Sequence, residues 1–373
     1  MKINRTRVQN HPIGSMIAML SLISGLGACD GNPTSPTVPT VHSAPGTLPP
    51  PPPVAPAPTA SAAWYIWTDA GGLTAVAAHS ATSSASPHGV NAKGEVVGSI
   101  GVNVGGGNVV WRSFIWSASR GYRDLGGTMG QGVTSIATAI DDASTVVGYS
   151  EGNGSKEGFV WAEGSGVRSL GIIIPYIGGI TIESGVVAGN ARGYGNYSAP
   201  YRRPVSGPEL DVLPFSSEAG GAVLGMNSKG EAVGYDGYMD HGFGGSSDAV
   251  AWDAEGTRIV AMSCGEENNC FAYLHSINED GVAVGSVRRG EIENRVFRWT
   301  RSGGVEFLAL PAAGWDVGAV AISDNGSILA YDERDAVLVS RSGAVTRIEP
   351  PAGRHRVYPM AMSSNGIVVL KIH

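Results

Sequence analysis

Two histidines share a register in a recurring pattern. His88 and His275 each lie six residues before a turn glycine, Gly94 and Gly281. Imidazole titrates close to neutrality, so two of them in one space could bind a metal or act as acid and base. The other copies of the pattern place Thr138, Gly179, Leu224, Val320 and Met360 at that register, and no carboxylate accompanies both histidines. A solvated or hydrogen-bonded histidine is the simpler reading of each. A second candidate is the insertion Asp236 to Asp248, which sets Asp236, Asp240 and His241 among glycines and aromatics. Binding residues concentrate on such loops, so it is the first place to expect a ligand or a metal. The acidic turns at Asp141-Asp142, Asn278 to Gly281 and Asp324 to Gly326 hold two or three oxygen-bearing side chains each. Calcium takes about six to eight oxygens, so these read as turns. The chain has no Gly-x-Ser-x-Gly elbow, no His-Glu-x-x-His and no Walker loop. No catalytic residue, metal or cofactor is therefore assigned.

The three cysteines divide by context. Cys264 and Cys270 bracket Gly-Glu-Glu-Asn-Asn, and an isolated close pair in an exported chain reads most simply as a disulfide that pinches a loop. A metal site would need two or more further ligands. Cys29 closes Leu26-Gly-Ala-Cys29, behind a basic start (Lys2, Arg5, Arg7) and an apolar run from Ile13 to Leu26. That is the layout of a cleaved export signal. The tetrad resembles a bacterial lipobox, which implies lipid attachment at Cys29. Residues 1–29 are thus expected to be a lipoprotein signal peptide. Residues 30–61 hold 11 of the 22 prolines and are expected to be a disordered tether of polyproline character.

The elements that must position these residues come from an internal repeat. An apolar run, a polar turn and a β-branched run recur as Val90 to Gly98, Ile140 to Gly148, Met226 to Gly234, Ile277 to Gly285, Ile322 to Leu329 and Met362 to Val369, with a degraded copy at Thr181 to Gly189. Two strand-forming runs across a tight polar turn make a hairpin. The turn ends in Gly94, Ser144, Gly185, Gly230, Gly281, Gly326 or Gly366, where positive φ is expected. These markers recur every 40 to 51 residues, the period of a four-stranded propeller blade. A third run follows, as in Ser113 to Trp116 and Gly158 to Trp161, and then a fourth, as in Tyr122 to Leu125. The tryptophans at one fixed place, Trp67, Trp116, Trp161, Trp252 and Trp299, read as core wedges. Arg202 and Val339 stand there instead in two copies.

The repeat resembles the HAF family of extracellular repeats, best over residues 124 to 150 and in all over roughly 62 to 373. One departure is clear: the histidine that heads the family's third strand is replaced by Arg112, Glu157, Asp248 or Asn294. The resemblance implies fold and secretion more than activity.

The expected fold is all-β, a single seven-bladed propeller of four-stranded antiparallel blades over residues 62–373. The segment Ala62 to Trp67 reads as a third strand, and the C-terminus stops after a second, so the two ends should complete one blade and close the ring. With a formal net charge of −7 and no basic stripe, nucleic acid is excluded as a partner. A monomeric, lipid-anchored module of the bacterial envelope is expected, periplasmic or surface-exposed, binding a protein or a glycan. A propeller enzyme of the carbohydrate lyase or hydrolase type is the alternative, since such enzymes gather residues from several blades without a linear motif. A purely structural surface repeat is the third.

Overall fold

The computed structural model describes residues 62–373, apart from positions 80–83, 129–132, 153–154, 175–178, 193–197, 208, 217–219, 238–244, 266, 268, 291–292, 311–316 and 334. The signal, Cys29 and the tether lie outside the described residues, as do Asp240 and His241.

The described chain is built of strands throughout. β1 (Ala62–Thr68) and β2 (Gly72–Ala77) are followed by the sheet of β3 (Ala85–Val90), β4 (Val96–Gly105), β5 (Asn108–Ser117) and β6 (Gly121–Gly126). Next come β7 (Thr134–Ile140), β8 (Val146–Gly152), β9 (Ser155–Ala162) and β10 (Gly166–Ile174), then β11 (Ile180–Glu183), β12 (Val186–Arg192), β13 (Ser198–Pro204) and β14 (Asp211–Val212). Eight strands share one sheet: β15 (Gly221–Met226), β16 (Ala232–Gly237), β17 (Ser246–Trp252), β18 (Arg258–Met262), β19 (Cys270–Ile277), β20 (Ala283–Arg289), β21 (Glu293–Thr300) and β22 (Gly304–Phe307). Another sheet holds β23 (Val317–Ile322), β24 (Ile328–Asp332), β25 (Asp335–Val339) and β26 (Val345–Arg347). β27 (Val357–Met362) and β28 (Val368–Ile372) join the first two strands in the order β2-β1-β28-β27.

The architecture is an all-β propeller, but the expected seven-bladed ring of four-stranded blades is not found. Five four-stranded blades stand alone, and the strands between Gly221 and Phe307 form one continuous eight-stranded sheet. The cause is local. β18 pairs with β17 only from Ala249 onward, which leaves the edge at Ser246 and Ser247 free. The start of β19 takes that edge in parallel, Ser246 opposite Cys270 and Ser247 opposite Phe271. The disulfide Cys264–Cys270 ties the start of the loop between β18 and β19 to the same place, as its spacing suggested. A repeat period counts units. It carries no information about whether two units share hydrogen bonds.

The chain ends meet as expected. β1 pairs with β28 through Tyr65–Leu370, Ile66–Val369 and Trp67–Val368, so neither strand presents an open edge there.

The second strand of each unit opens on two consecutive apolar residues because both of its faces pack on neighbours there. Val96, Val97, Val146, Val147, Val233 and Val284 are all completely buried. Cores form between successive sheets: Val97, Ile115 and Leu125 of one pack on Ala137, Val146, Phe159 and Trp161 of the next. Phe114, Phe159 and Phe297, from third strands, are almost fully buried, each contributing roughly 2–3 kcal/mol. Of the wedge tryptophans, Trp161, Trp252 and Trp299 are buried, while Trp67 and Trp116 are partly exposed.

Candidate functional site: the axial cavity

The histidine register corresponds to a β-bulge. Pairing of the first strand with the second skips one residue at His88, Thr138, Leu224, His275, Val320 and Met360. A bulge leaves its extra residue out of the ladder and re-aims the side chain. Here all six side chains line one cavity of about 540 Å³, together with Gly179 of the remaining unit. The bulge brings the backbone close to the second strand. The carbonyl two residues before the bulged position lies 1.9 to 2.1 Å from where a Cβ would stand on Gly98, Gly148, Gly234 or Gly285. Glycine there also makes room for a ring: an added Cβ would lie 2.8 Å from Phe159 Cζ at Gly148 and 2.9 Å from Phe297 Cζ at Gly285. The bulges of β23 and β27 face Ala330 and Leu370 instead, so a bulge alone does not demand glycine.

The two histidines, in distant units of the sequence, therefore share one cavity. The His88 Nδ1–H donates to the Ala137 carbonyl at 2.9 Å, which leaves Nε2 as an acceptor. Burial holds the His88 pKa below its ordinary value, partly offset by that hydrogen bond, and Lys371 lowers it further. His275 sits edge-tilted against Tyr273, ring centroids 5.7 Å apart, and makes no hydrogen bond among the described residues. It lines the cavity and is half-buried. Desolvation lowers its pKa to about 4, so both imidazoles are neutral at pH 7.

The rim of the cavity consists of the hairpin turns. Turns opened by an asparagine are capped by its side chain: Asn91 Oδ1 accepts from the N–H groups of Lys93 and Glu95, and Asn278 Oδ1 from those of Asp280 and Val282. The same residues tie neighbouring turns. Asn91 Nδ2 donates to the Asp141 carbonyl, Asn227 Nδ2 to that of Asn278 and Asn278 Nδ2 to that of Ser323, each at 3.1 Å. Asn365 Nδ2 reaches the Ala92 carbonyl at 2.9 Å, linking the last turn to the first.

The position after the cap carries the charge. It is occupied by Ala92, Asp142, Glu183, Ser228, Glu279, Asp324 and Ser364, and all but Ala92 line the cavity. Asp142, Glu279 and Asp324 each accept the backbone N–H of the preceding turn, from Ala92, Ser228 and Glu279, at 2.8 to 3.1 Å. Glu183 has no such partner. Among the described residues it accepts only from the Ser184 hydroxyl, and burial, with repulsion from Asp142, Glu279 and Asp141, raises its pKa. Every charged side chain on the cavity wall is thus acidic: Asp141, Asp142, Glu183, Glu279 and Asp324. Among the described residues, no group of three or more acidic, histidine or cysteine side chains is arranged to hold a metal ion.

The insertion candidate fares differently. Asp236 is buried away from the cavity, paired with Arg258 Nε at 2.6 Å and accepting the Ser216 N–H at 2.7 Å. It holds its sheet together. Sequence reading missed Glu183, and the missed signal was the column of acids, visible only when the turns are aligned by their caps.

The fold and cavity define a β-propeller with an acidic axial mouth. No family model and no curated protein matches the chain. Solved structures do match, at the level of fold. The β-propeller domain of the Trilobed protease from Pyrococcus furiosus, described as having an open velcro topology, superposes with a TM-score of 0.56 at 11% identity, covering 78% of this chain and 91% of that one. Virginiamycin B lyase from Staphylococcus aureus gives 0.46 at 9% identity, covering 76% and 94%. A putative TolB from Agrobacterium tumefaciens gives 0.42 at 14%, covering 67% and 94%. At 11% identity, what the first of these shares with the chain is the propeller fold.

Proposed function

We propose that this chain is a non-catalytic binding module of the bacterial envelope, a propeller of the HAF-repeat type. It is held off a membrane by residues 30–61 on a lipidated Cys29, and it takes a protein or glycan ligand at the axial cavity. The observation that carries the reading is the composition of that cavity. It brings two imidazoles and five carboxylates together, yet no lysine or arginine lines it and neither imidazole bonds a carboxylate. Three of the acids are spent on backbone N–H groups of neighbouring turns. General acid–base catalysis needs a base held and oriented by a partner group, and lyases and hydrolases that act on anionic or oxyanion-forming substrates need cationic or N–H donors. An acceptor-rich pocket with apolar side chains between its polar groups suits binding.

The enzyme reading stands second, on one observation: His275 lines the cavity as a neutral imidazole, the protonation state a base requires. One experiment separates the two. Envelope protein and glycan fractions are passed over the immobilised mature chain and a Leu224→Trp variant whose larger side chain fills the cavity. Saturable capture, lost in Leu224→Trp and unaccompanied by turnover, is the expected outcome. Turnover of a captured substrate that disappears in His275→Ala would replace the binding reading by the enzymatic one. Mass spectrometry of the mature N-terminus checks the anchor: an unmodified Cys29 would remove it.

A further inference from the structure

Hydrogen-bonding capacity in the cavity is lopsided. Several side-chain donors of the wall are already spent inside the protein: Thr138 Oγ1 donates to the Ile180 carbonyl at 2.6 Å, Asn227 Nδ2 to the Asn278 carbonyl, and the Ser184 and Ser228 hydroxyls to Glu183 and Glu279, which leaves the hydroxyls of Thr181, Ser276 and Ser364 on the wall. The acceptors are not. His88, which lines the cavity, keeps a lone pair on Nε2, and among the described residues His275 has no hydrogen-bond partner and the Glu183 carboxylate accepts from the Ser184 hydroxyl alone. The cations on the flanking turns are engaged elsewhere, Lys93 with the Ser144 hydroxyl and Lys229 with the Glu279 carbonyl. Between rim and floor the wall is apolar, with Leu224, Val320, Met360 and Met362 facing in.

We infer that the axial cavity recognises an organic cation: an ammonium or guanidinium group seated at the Glu183 side of the acidic rim, on an apolar stem that runs down toward His88 and His275. This rests on the binding reading above and names its ligand class. The chemistry fits at each level. A cation with several N–H donors meets carboxylates that form short, charge-assisted bonds. Its methylene stem covers Leu224 and Met360 as lysine stems cover apolar surface elsewhere. A second donor at the far end of the stem can reach a neutral imidazole acceptor at the floor. An anion would meet five carboxylates on a wall with no lysine or arginine, Lys371 lying behind His88, and a neutral polyol would bond the same carboxylates without the attraction of opposite charge. The group could belong to a free amine or to a side chain of a peptide, and the two sources are told apart below.

The test is a calorimetric titration of the full mature chain at pH 7.5 with 1,5-diaminopentane, with 1,5-pentanediol as its uncharged counterpart, and with an acetylated tetrapeptide containing one lysine. The inference expects saturable 1:1 binding of the diamine, the peptide or both, with the diol at least about tenfold weaker, and a loss of about tenfold in Glu183→Gln. That variant is isosteric at a position with one local hydrogen bond, so an unchanged melting temperature is expected alongside. Tighter binding of the peptide assigns a side chain as the source, and tighter binding of the diamine assigns a free amine. Absence of saturable heat with both cations, equal binding of diol and diamine, or indifference to Glu183→Gln would overturn the inference. Capture of an envelope ligand that is lost in Leu224→Trp would survive any of those results, so failure here leaves the binding reading testable separately.

Discussion

The blade of β11 to β14 and the unit of β19 to β22 occupy equivalent places in the repeat and solve the same problem differently. In β19 a bulge turns His275 into the cavity, a four-residue turn is capped by Asn278, and Trp299 fills the wedge. β11 has an unbroken register, and its turn has two central residues, Ser184 and Gly185, both at positive φ. No cap side chain is present, and Arg202 replaces the tryptophan. Arg202 takes over part of what the missing cap does elsewhere. Its guanidinium donates to the carbonyls of Gly230, Asp253 and Ala254 at 2.7 to 3.1 Å and pairs with Asp211 at 2.8 Å. The link between neighbouring turns has moved from the rim to the wedge. That shift leaves Glu183 with an unspent carboxylate, so the most irregular blade supplies the charge with the fewest internal obligations.

Four experiments bear on this contrast. The largest effect is expected at the glycine opposite the His275 bulge. In Gly285→Ala the new Cβ would meet the Tyr273 carbonyl at 2.0 Å and Phe297 Cζ at 2.9 Å, whereas Gly189→Ala meets the Gly179 carbonyl at 2.4 Å and nothing else nearer than 3.3 Å. Gly285→Ala should cost on the order of 3 kcal/mol in urea unfolding and Gly189→Ala about half of that. Equal costs would mean that the bulge is not what makes the site tight.

Acidification probes the histidine itself. The His275 pKa is about 4 in the folded chain against an ordinary 6.5, so below pH 6.5 the unfolded chain takes up the proton first. Stability should fall as pH drops from 6.5 and level off below about 4, by an amount on the order of 2–3 kcal/mol from this group. His275→Leu should flatten that part of the wild-type profile when the two curves are overlaid. Identical slopes would show that the imidazole is solvated.

Arg202→Trp restores the residue the repeat prefers, yet it removes four hydrogen-bonded partners at once. It should destabilise by about 2 kcal/mol in chemical denaturation. A gain in stability would show that the arginine is drift and not a replacement link. Smallest is Ser144→Gly. Ser144 holds φ 66 where the other turns have glycine, and relief of that strain, roughly 1 kcal/mol, is partly offset by the lost hydroxyl bond to Glu95. A net gain of about 0.5 kcal/mol in thermal unfolding is the expected result.

Much of the fold could be read from the chain because it depends on local chemistry. The turn residues at positive φ, the β-branched second strands and the pairing of the chain ends follow from short patterns and a period. The close cysteine pair was legible for the same reason. Parts of the site were legible too: His88 and His275 in one register, and acidic turns. What was not legible was Asp236 as an internal ion pair with Arg258, because a partner 22 residues away leaves no trace in a loop's composition. The bulges were also hidden, since a skipped residue changes pairing and not sequence pattern.

The chain by itself determined the strand grammar, since turn chemistry and side-chain branching act over a few residues. Tertiary structure decided how units group into sheets, because a parallel pairing of two residues at Ser246 and Ser247 depends on which edge is left free in space. It also decided that side chains nearly 190 residues apart in sequence face one cavity. Ring closure sets those distances, and only closure turns scattered turn acids into a single charged mouth.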